Sequence, residues 1–306
     1  MILTVCPNPS VDKFLHIPEF VPASVNRTVK EEAFPGGKGI HVALALAELG
    51  VTVKVAGIWG GPTGRWIVDE CKKKGIPCSG PETSGWTRTC LTLKTGLQNS
   101  DTEILEQGPK VSDSEISQLF DFISAELDNA SAVSVSGSWP QGTSGNVYKD
   151  LKNLTVKNNI PLWVDASGLR LEQAVEVHPF GIHINMEEAR NLLKVDAAPE
   201  ETALKLLTYC EIAAVSDGAN GLFLAKDGQV FHAICPVDEI ISTVGCGDCL
   251  LAGLLESYQS TGQDLKKMAM LGTACGAANC VSPELGMLKY DDVKYFLGKV
   301  TCNEIN

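Results

Sequence analysis

Positive charge is scarce in this sequence. Lys and Arg number 25 against 37 Asp and Glu, for a net charge of −12. Surfaces for nucleic acid or anionic lipid need clustered cations, so this balance argues against both partners. An anionic substrate would have to be met by a few placed basic residues. Charged residues amount to 20%, below the usual share, and no apolar run reaches membrane-spanning length. The opening Met-Ile-Leu-Thr-Val-Cys-Pro has neither a basic segment nor a long apolar core, so no signal peptide is expected. Metal-binding spacings are also scarce. The five histidines show no H-x-x-x-H, and Cys246-x-x-Cys249 has no second C-x-x-C to match it. The eleven cysteines are scattered among apolar residues, as in reduced, mostly buried thiols of a cytosolic protein. No G-x-x-x-x-G-K-[ST] occurs, which excludes a P-loop protein, and no G-x-G-x-x-G follows the first apolar run. The second absence weakens a dinucleotide-dependent dehydrogenase reading.

What is present is apolar content of 44% over 306 residues, enough for one large α/β domain or two smaller ones. The chain is organised around Ser242-Thr243-Val244-Gly245-Cys246-Gly247-Asp248, which runs into the apolar Leu250–Leu255. Glycines on both sides of Cys246 permit a sharp turn, and a helix starting there points unpaired N–H groups into it. Those donors and the helix dipole form an anion site beside the Asp248 carboxylate. Anion donors next to one carboxylate suit phosphoryl transfer, with the acid accepting a hydroxyl proton. A capped core helix with an acidic first turn is the plainer alternative.

The rest of the chain alternates. Strands are expected at residues 2–6, 51–58, 132–136, 161–165, 181–185 and 212–216, with helices between most of them. Ser112 and Glu115 have capping-box spacing. Leu222–Ala225 and Val230–His232 suggest a hairpin around Asp227-Gly228, and three helical stretches, from Gly247, Asp264 and Tyr290, finish the chain. Two segments break the rhythm, about 10–35 and 86–106, each with short β-like pieces. In the second, Arg88, Cys90, Thr92 and Lys94 should share a face. Alternation of this kind means a parallel sheet between two helical layers, with ligands at the carboxyl ends of the strands. Asn8, Ser136-Gly137, Asp165, Asn185, Ser216–Gly218 and Gly245–Asp248 all fall at such ends.

Taken together, Asn8-Pro9-x-x-Asp12, Gly36-Gly37-Lys38-Gly39, Thr87-Arg88, Ser136-Gly137-Ser138-x-Pro140-x-Gly142, Asn185-x-x-Glu188 and Thr243-Val244-Gly245-x-Gly247-Asp248 resemble the ribokinase-like PfkB carbohydrate kinases. The branch most similar is that of 1-phosphofructokinases and tagatose-6-phosphate kinases. The resemblance implies a single domain over 1–306. Its core would be a three-layer α/β/α sandwich with a mostly parallel sheet. A small β-sheet lid would come from segments 10–35 and 86–106 and could mediate a homodimer. It implies ATP as donor and Mg²⁺ as metal, in a cytoplasmic enzyme. Asp248 would be the base, and the amides of Gly245, Cys246 and Gly247 the anion hole. Asp12, Gly36, Gly37, His41, Ser136 and Gly137 would meet the sugar, and Arg27, Lys38 and Arg88 its phosphate. Asn185 and Glu188 would order the magnesium waters. Asn185, Ser216, Asp217, Gly218, Gly221 and Asn279 would flank the nucleotide.

The sequence departs from the branch at four places. His41, Cys90 and Leu105 replace residues usually Asn, and His183 replaces a usual Lys. Transfer from ATP to fructose 1-phosphate is the expected reaction. Tagatose 6-phosphate, an unphosphorylated sugar or a nucleoside are the alternative acceptors, and a non-catalytic sugar-phosphate sensor is the alternative of another class. Cys246 and Cys249 raise the question of oxidant sensitivity.

Overall fold

The computed structural model describes residues 1–95, 102–284 and 286–305. Its main sheet has ten strands. From one edge to the other they are Thr301–Ile305, Gln229–Ile234, Leu222–Lys226, Ile212–Ser216, Gly181–Asn185, Leu162–Asp165, Ala132–Ser136, Ile2–Cys6, Val53–Gly57 and Cys78–Ser79. Every pairing from Ile212–Ser216 to Cys78–Ser79 is parallel, and the three strands beyond it are antiparallel. The expected strands and the hairpin are all present. The edge strand Thr301–Ile305 had no counterpart in the sequence reading, nor did the helices Gly168–Val175 and Pro199–Leu206.

Helices cover both faces, and the strands are buried on both sides, so they read as continuous apolar runs. Alternate residues of one strand serve opposite layers. Ile2 packs in one core and Leu3 and Val5 in the other; Ile212 and Ala214 oppose Ala213 and Val215 in the same way. The first core lies under helices Lys38–Glu48, Cys246–Thr261 and Leu265–Cys280. The second lies under Asp113–Glu126, Val147–Lys157 and the shorter helices that follow. Ser112 and Glu115 do form the capping box.

The helix Cys246–Thr261 is apolar nearly all round because it is a central helix, lying between its neighbours Lys38–Glu48 and Leu265–Cys280. Gly253 lets the last of these approach closely: a Cβ there would stand 2.8 Å from the Gly272 Cα. This packing anchors the turn at its N-terminus.

The two irregular segments form one four-stranded sheet, ordered Lys30–Gly36, Ser10–His16, Arg88–Lys94 and Thr102–Leu105. The first of these strands runs to Gly36, to the very end of the irregular segment. Its extent is set by antiparallel pairing with Ser10–His16, a partner that local composition does not reveal. Among the described residues no helix is long and apolar enough to cross a membrane.

Candidate active site

Two clefts open at the carboxyl edge of the main sheet. The first, about 370 Å³, lies between that edge and the small sheet. Three strands of the small sheet turn alternate residues into it: Ser10 and Asp12, Arg88, Cys90 and Thr92, and Glu103 and Leu105. Register explains the grouping, since Asp12 pairs with Cys90 and Cys90 with Leu105. Gly37, Lys38, His41, Ser136 and Gly137 complete the wall with Gly245 and Asp248. The second cleft, about 220 Å³, is lined by Asp165, His183, Asn185, Glu188, Ser216 and Gly247. Lys38, Gly245 and Asp248 line both. The clefts therefore meet at the N-terminus of the helix Cys246–Thr261.

That junction is shaped by backbone. Gly245 adopts a left-handed conformation with φ 86° as N-cap of the helix, and a Cβ on it would stand 2.4 Å from the Gly286 Cα. The amides of Gly245 and Gly247 have no protein partner among the described residues, so they remain available to an anion. The third expected donor differs, because the Cys246 amide donates back to the Thr243 carbonyl at 3.3 Å. The Cys246 side chain faces Cys280, with Sγ atoms 3.2 Å apart, and not Cys249, which is fully buried. The C-x-x-C spacing thus does not form a thiol pair.

Asp248, in the first helical turn, is 5% exposed. Its Oδ2 lies 2.9 Å from Nδ1 of His41. The other imidazole nitrogen, Nε2, stands 3.2 Å from Asp12 Oδ2, an ion-pair approach without hydrogen-bond alignment. Ser10 Oγ in turn donates to Asp12 Oδ1 at 2.6 Å. Burial alone would push the imidazole toward neutrality, but the contacts to Asp12 and Asp248 outweigh it and raise its pKa to about 10.

A second chain of contacts underlies the other cleft. Lys38 Nζ donates to Asp165 Oδ1 at 2.6 Å, and His183 Nδ1 lies 2.7 Å from Asp165 Oδ2. Against the cost of burial, the Lys38 charge and the His183 contact hold the Asp165 carboxyl well below its usual range. Lys38 is held above its usual range, since attraction to Asp165 and Asp248 exceeds the burial penalty. The sequence reading had Asp165 only as a strand end and Lys38 as a sugar-phosphate contact. Here the ammonium sits at the junction.

Arg88 donates from Nε to the Asn8 carbonyl and from Nη1 to the Glu106 carbonyl, both at 3.2 Å. Its fork is thereby oriented at the cleft wall. Asn185 and Glu188 form a reciprocal capping box, Asn185 Oδ1 accepting from the Glu188 amide and Glu188 Oε2 from the Asn185 amide. The remaining expected site residues lie outside both clefts. Gly36 sits against the Asp12 carboxyl, where a Cβ would come within 2.1 Å of it. Arg27 is exposed beyond the end of the small sheet, because the chain crosses there between two strands. Asp217, Gly218 and Gly221 form the turn after Ser216, with Gly218 exposed and the other two half-buried. Asn279 is buried, donating to the Met287 carbonyl.

Residues 8–287 match the model of the pfkB family carbohydrate kinases. The 1-phosphofructokinase of Bacillus subtilis (strain 168) is 31% identical over 291 residues, covering 94% of each chain. Among solved structures, a possible 1-phosphofructokinase from Thermotoga maritima superposes with a TM-score of 0.90 at 25% identity, over 100% of both chains. Ribokinase from the same organism, at 16% identity and a TM-score of 0.78, covers 97% of this chain and 99% of its own, and shows the fold alone. A buried carboxylate at the meeting point of two clefts, an amide turn beside it, and these likenesses agree. The chain belongs to the pfkB family of carbohydrate kinases, with a ribokinase-like fold, and uses ATP as its phosphoryl donor.

Proposed function

We propose that the enzyme transfers a phosphoryl group from ATP to a hydroxyl of a phosphorylated ketohexose, converting fructose 1-phosphate to fructose 1,6-bisphosphate. The observation that carries this is the position of Asp248 in both clefts. An acceptor hydroxyl in the first cleft and the terminal phosphate of a nucleotide in the second would meet at its carboxylate. Asp248 takes the hydroxyl proton as the sugar oxygen attacks the terminal phosphorus, and the bond to the departing ADP oxygen breaks. The Gly245 and Gly247 amides hold charge that develops on the transferring group. Lys38, at the junction, adds a cation at the same point.

Mg²⁺ fits the second cleft. Glu188 keeps Oε1 without a partner among the described residues, and the adjacent Asn185 amide group can order metal-bound waters. When bound, the ion would offset the charge of the nucleotide phosphates. The phosphate carried by the sugar is assigned to Arg88. Fork geometry suits a dianion, and two main-chain carbonyls already fix its plane. The same wall carries Cys90 and Leu105, so fewer side chains read hydroxyls there, and tagatose 6-phosphate is the second acceptor to test. Ile104 and Leu105 of the small sheet, and Val29 just before its first strand, are half or more exposed, which supports pairing of two subunits through it.

A coupled ADP-release assay over a panel of sugars and sugar phosphates tests the assignment. Turnover confined to unphosphorylated sugars or nucleosides would replace it with another carbohydrate kinase activity. Tight binding without transfer under saturating Mg·ATP would indicate a sensor.

A further inference from the structure

Asp12 and Asp248 are both buried, and one imidazole stands between them. His41 meets Asp248 through Nδ1 at 2.9 Å and approaches Asp12 through Nε2 at 3.2 Å. A neutral imidazole has one N–H and one lone pair. Either tautomer would turn its lone pair against a carboxylate oxygen. Only the imidazolium carries an N–H on both nitrogens, one hydrogen-bonded to Asp248 and the other in an ion-pair approach to Asp12 without hydrogen-bond alignment. The ring has little freedom to turn away. A Cβ on Gly286 would fall 2.2 Å from the His41 Cγ, so the backbone of that glycine lies flat against the imidazole. Gly36 presses on the Asp12 carboxyl from behind in the same manner.

Among the described residues no other cation of the first cleft stands between Asp12 and Asp248. Lys38, on the same helix, is attracted to Asp248 but gives its ammonium to Asp165. Arg88, from the small sheet, gives two donors to main-chain carbonyls. Glu103 adds a further negative charge, and the two thiols facing the cleft, Cys6 and Cys90, are pushed upward by burial and stay uncharged.

We propose that His41 is a positioning residue: as a buried imidazolium it balances Asp12 and Asp248 together, keeping the base ionised and aiming one of its oxygens into the cleft. This rests on the reading of Asp248 as the base. Removing the cation leaves two buried carboxylates with no positive charge between them, and burial beside a like charge favours the protonated form. A proton held on Asp248 would disable the base.

Two measurements test this. The first follows kcat against pH for the whole enzyme and for His41→Gln and His41→Asn, at saturating Mg·ATP and saturating sugar phosphate. The acid side of the profile should move upward in both variants. Between pH 8 and pH 6 they should lose about tenfold more turnover than the parent loses, the effect of a one-unit displacement. KM for ATP should change little. Profiles parallel to that of the parent, whatever their height, would overturn the proposal and leave His41 a packing residue.

The second needs no turnover and no variant of His41. Imidazole ¹⁵N shifts of the parent enzyme should show one histidine with both nitrogens protonated at pH 8, and Asp248→Asn should lower the pH at which it loses its proton. A neutral imidazole at every histidine at pH 8 would equally refute the idea. If the parent shows no sugar-phosphate turnover, the proposed function fails, while the shift measurement still decides the charge on His41.

Discussion

Replacing Asp248 by Asn is the sharpest test of the chemistry. The change keeps the shape and removes the proton acceptor. Its structural cost should be small. The Asn carbonyl oxygen can occupy the place of Oδ2 and accept from His41 Nδ1, now at 2.9 Å. The imidazolium keeps Asp12 as its remaining counter-charge, so no uncompensated charge is stranded. Nearly all of the effect should therefore fall on the transition state. Loss of a general base lowers turnover by about 10²–10⁴-fold, or roughly 2.7–5.4 kcal/mol of barrier at 1.36 kcal/mol per decade. A coupled ADP-release assay at saturating Mg·ATP and fructose 1-phosphate reads this directly. Calorimetric titration with an ATP analogue should give an affinity close to that of the parent, because the nucleotide is held by the second cleft and the amide turn. Turnover within a few-fold of the parent would refute the reasoning. Asp248 would then be a helix-start residue, and another group would have to take the proton.

Three further outcomes are expected. Arg88→Ala should raise KM for the sugar phosphate by the equivalent of about 1.5–3 kcal/mol, the range for a hydrogen bond to a charged group, and leave KM for ATP in place; initial-rate kinetics with each substrate varied separate the two. Gly286→Ala should lower kcat and melting temperature together, since the added methyl overlaps the His41 ring and the residue has φ +60°; an Ala variant with parental kinetics would show that the ring is free to move. Lys38→Ala should destabilise the protein at neutral pH, in a way that fades with acid. The folded Asp165 carboxyl is held below its ordinary 3.8, so its contribution is present above that value and is lost as pH falls beneath it. Urea midpoints of parent and variant should converge as pH drops below about 4.

The sheet was legible because its strands are short apolar runs that end in polar or glycine residues. The same habit places Asn185, Ser216 and Gly137 at one edge of the sheet. The strand Thr301–Ile305 was not legible. Thr301, Asn303 and Glu304 make it polar, and it exists because the open edge of Gln229–Ile234 pairs with it over five residues. The helix Pro199–Leu206 carried a usable signal, a proline at its start followed by Glu200 and Glu201.

At the site, residue types were readable but their partners were not. His41 could be assigned to the cleft, yet its contact with Asp248 spans 207 positions. Lys38 and Asp165, 127 positions apart, meet only because a helix start and a strand end face each other across the sheet edge. Cys246 was misleading for a related reason. Its sequence neighbour Cys249 turns into the core, and the thiol it actually faces belongs to the next helix.

Because Lys38, Gly245 and Asp248 belong to both clefts, the two ligands cannot be independent of each other. A nucleotide brings negative charge to that ammonium from one cleft, and an acceptor fills the other side of the same wall. Whatever one ligand does to that shared electrostatic field changes the affinity for the other, and by linkage the factor must be identical in the two directions. Occupancy of one cleft thus reports on the other: the sugar-phosphate Kd measured with and without ADP, and the ADP Kd measured with and without sugar phosphate, should differ by the same ratio. The wall that joins the clefts gives the two ligands one coupling free energy, the same whichever of them binds first.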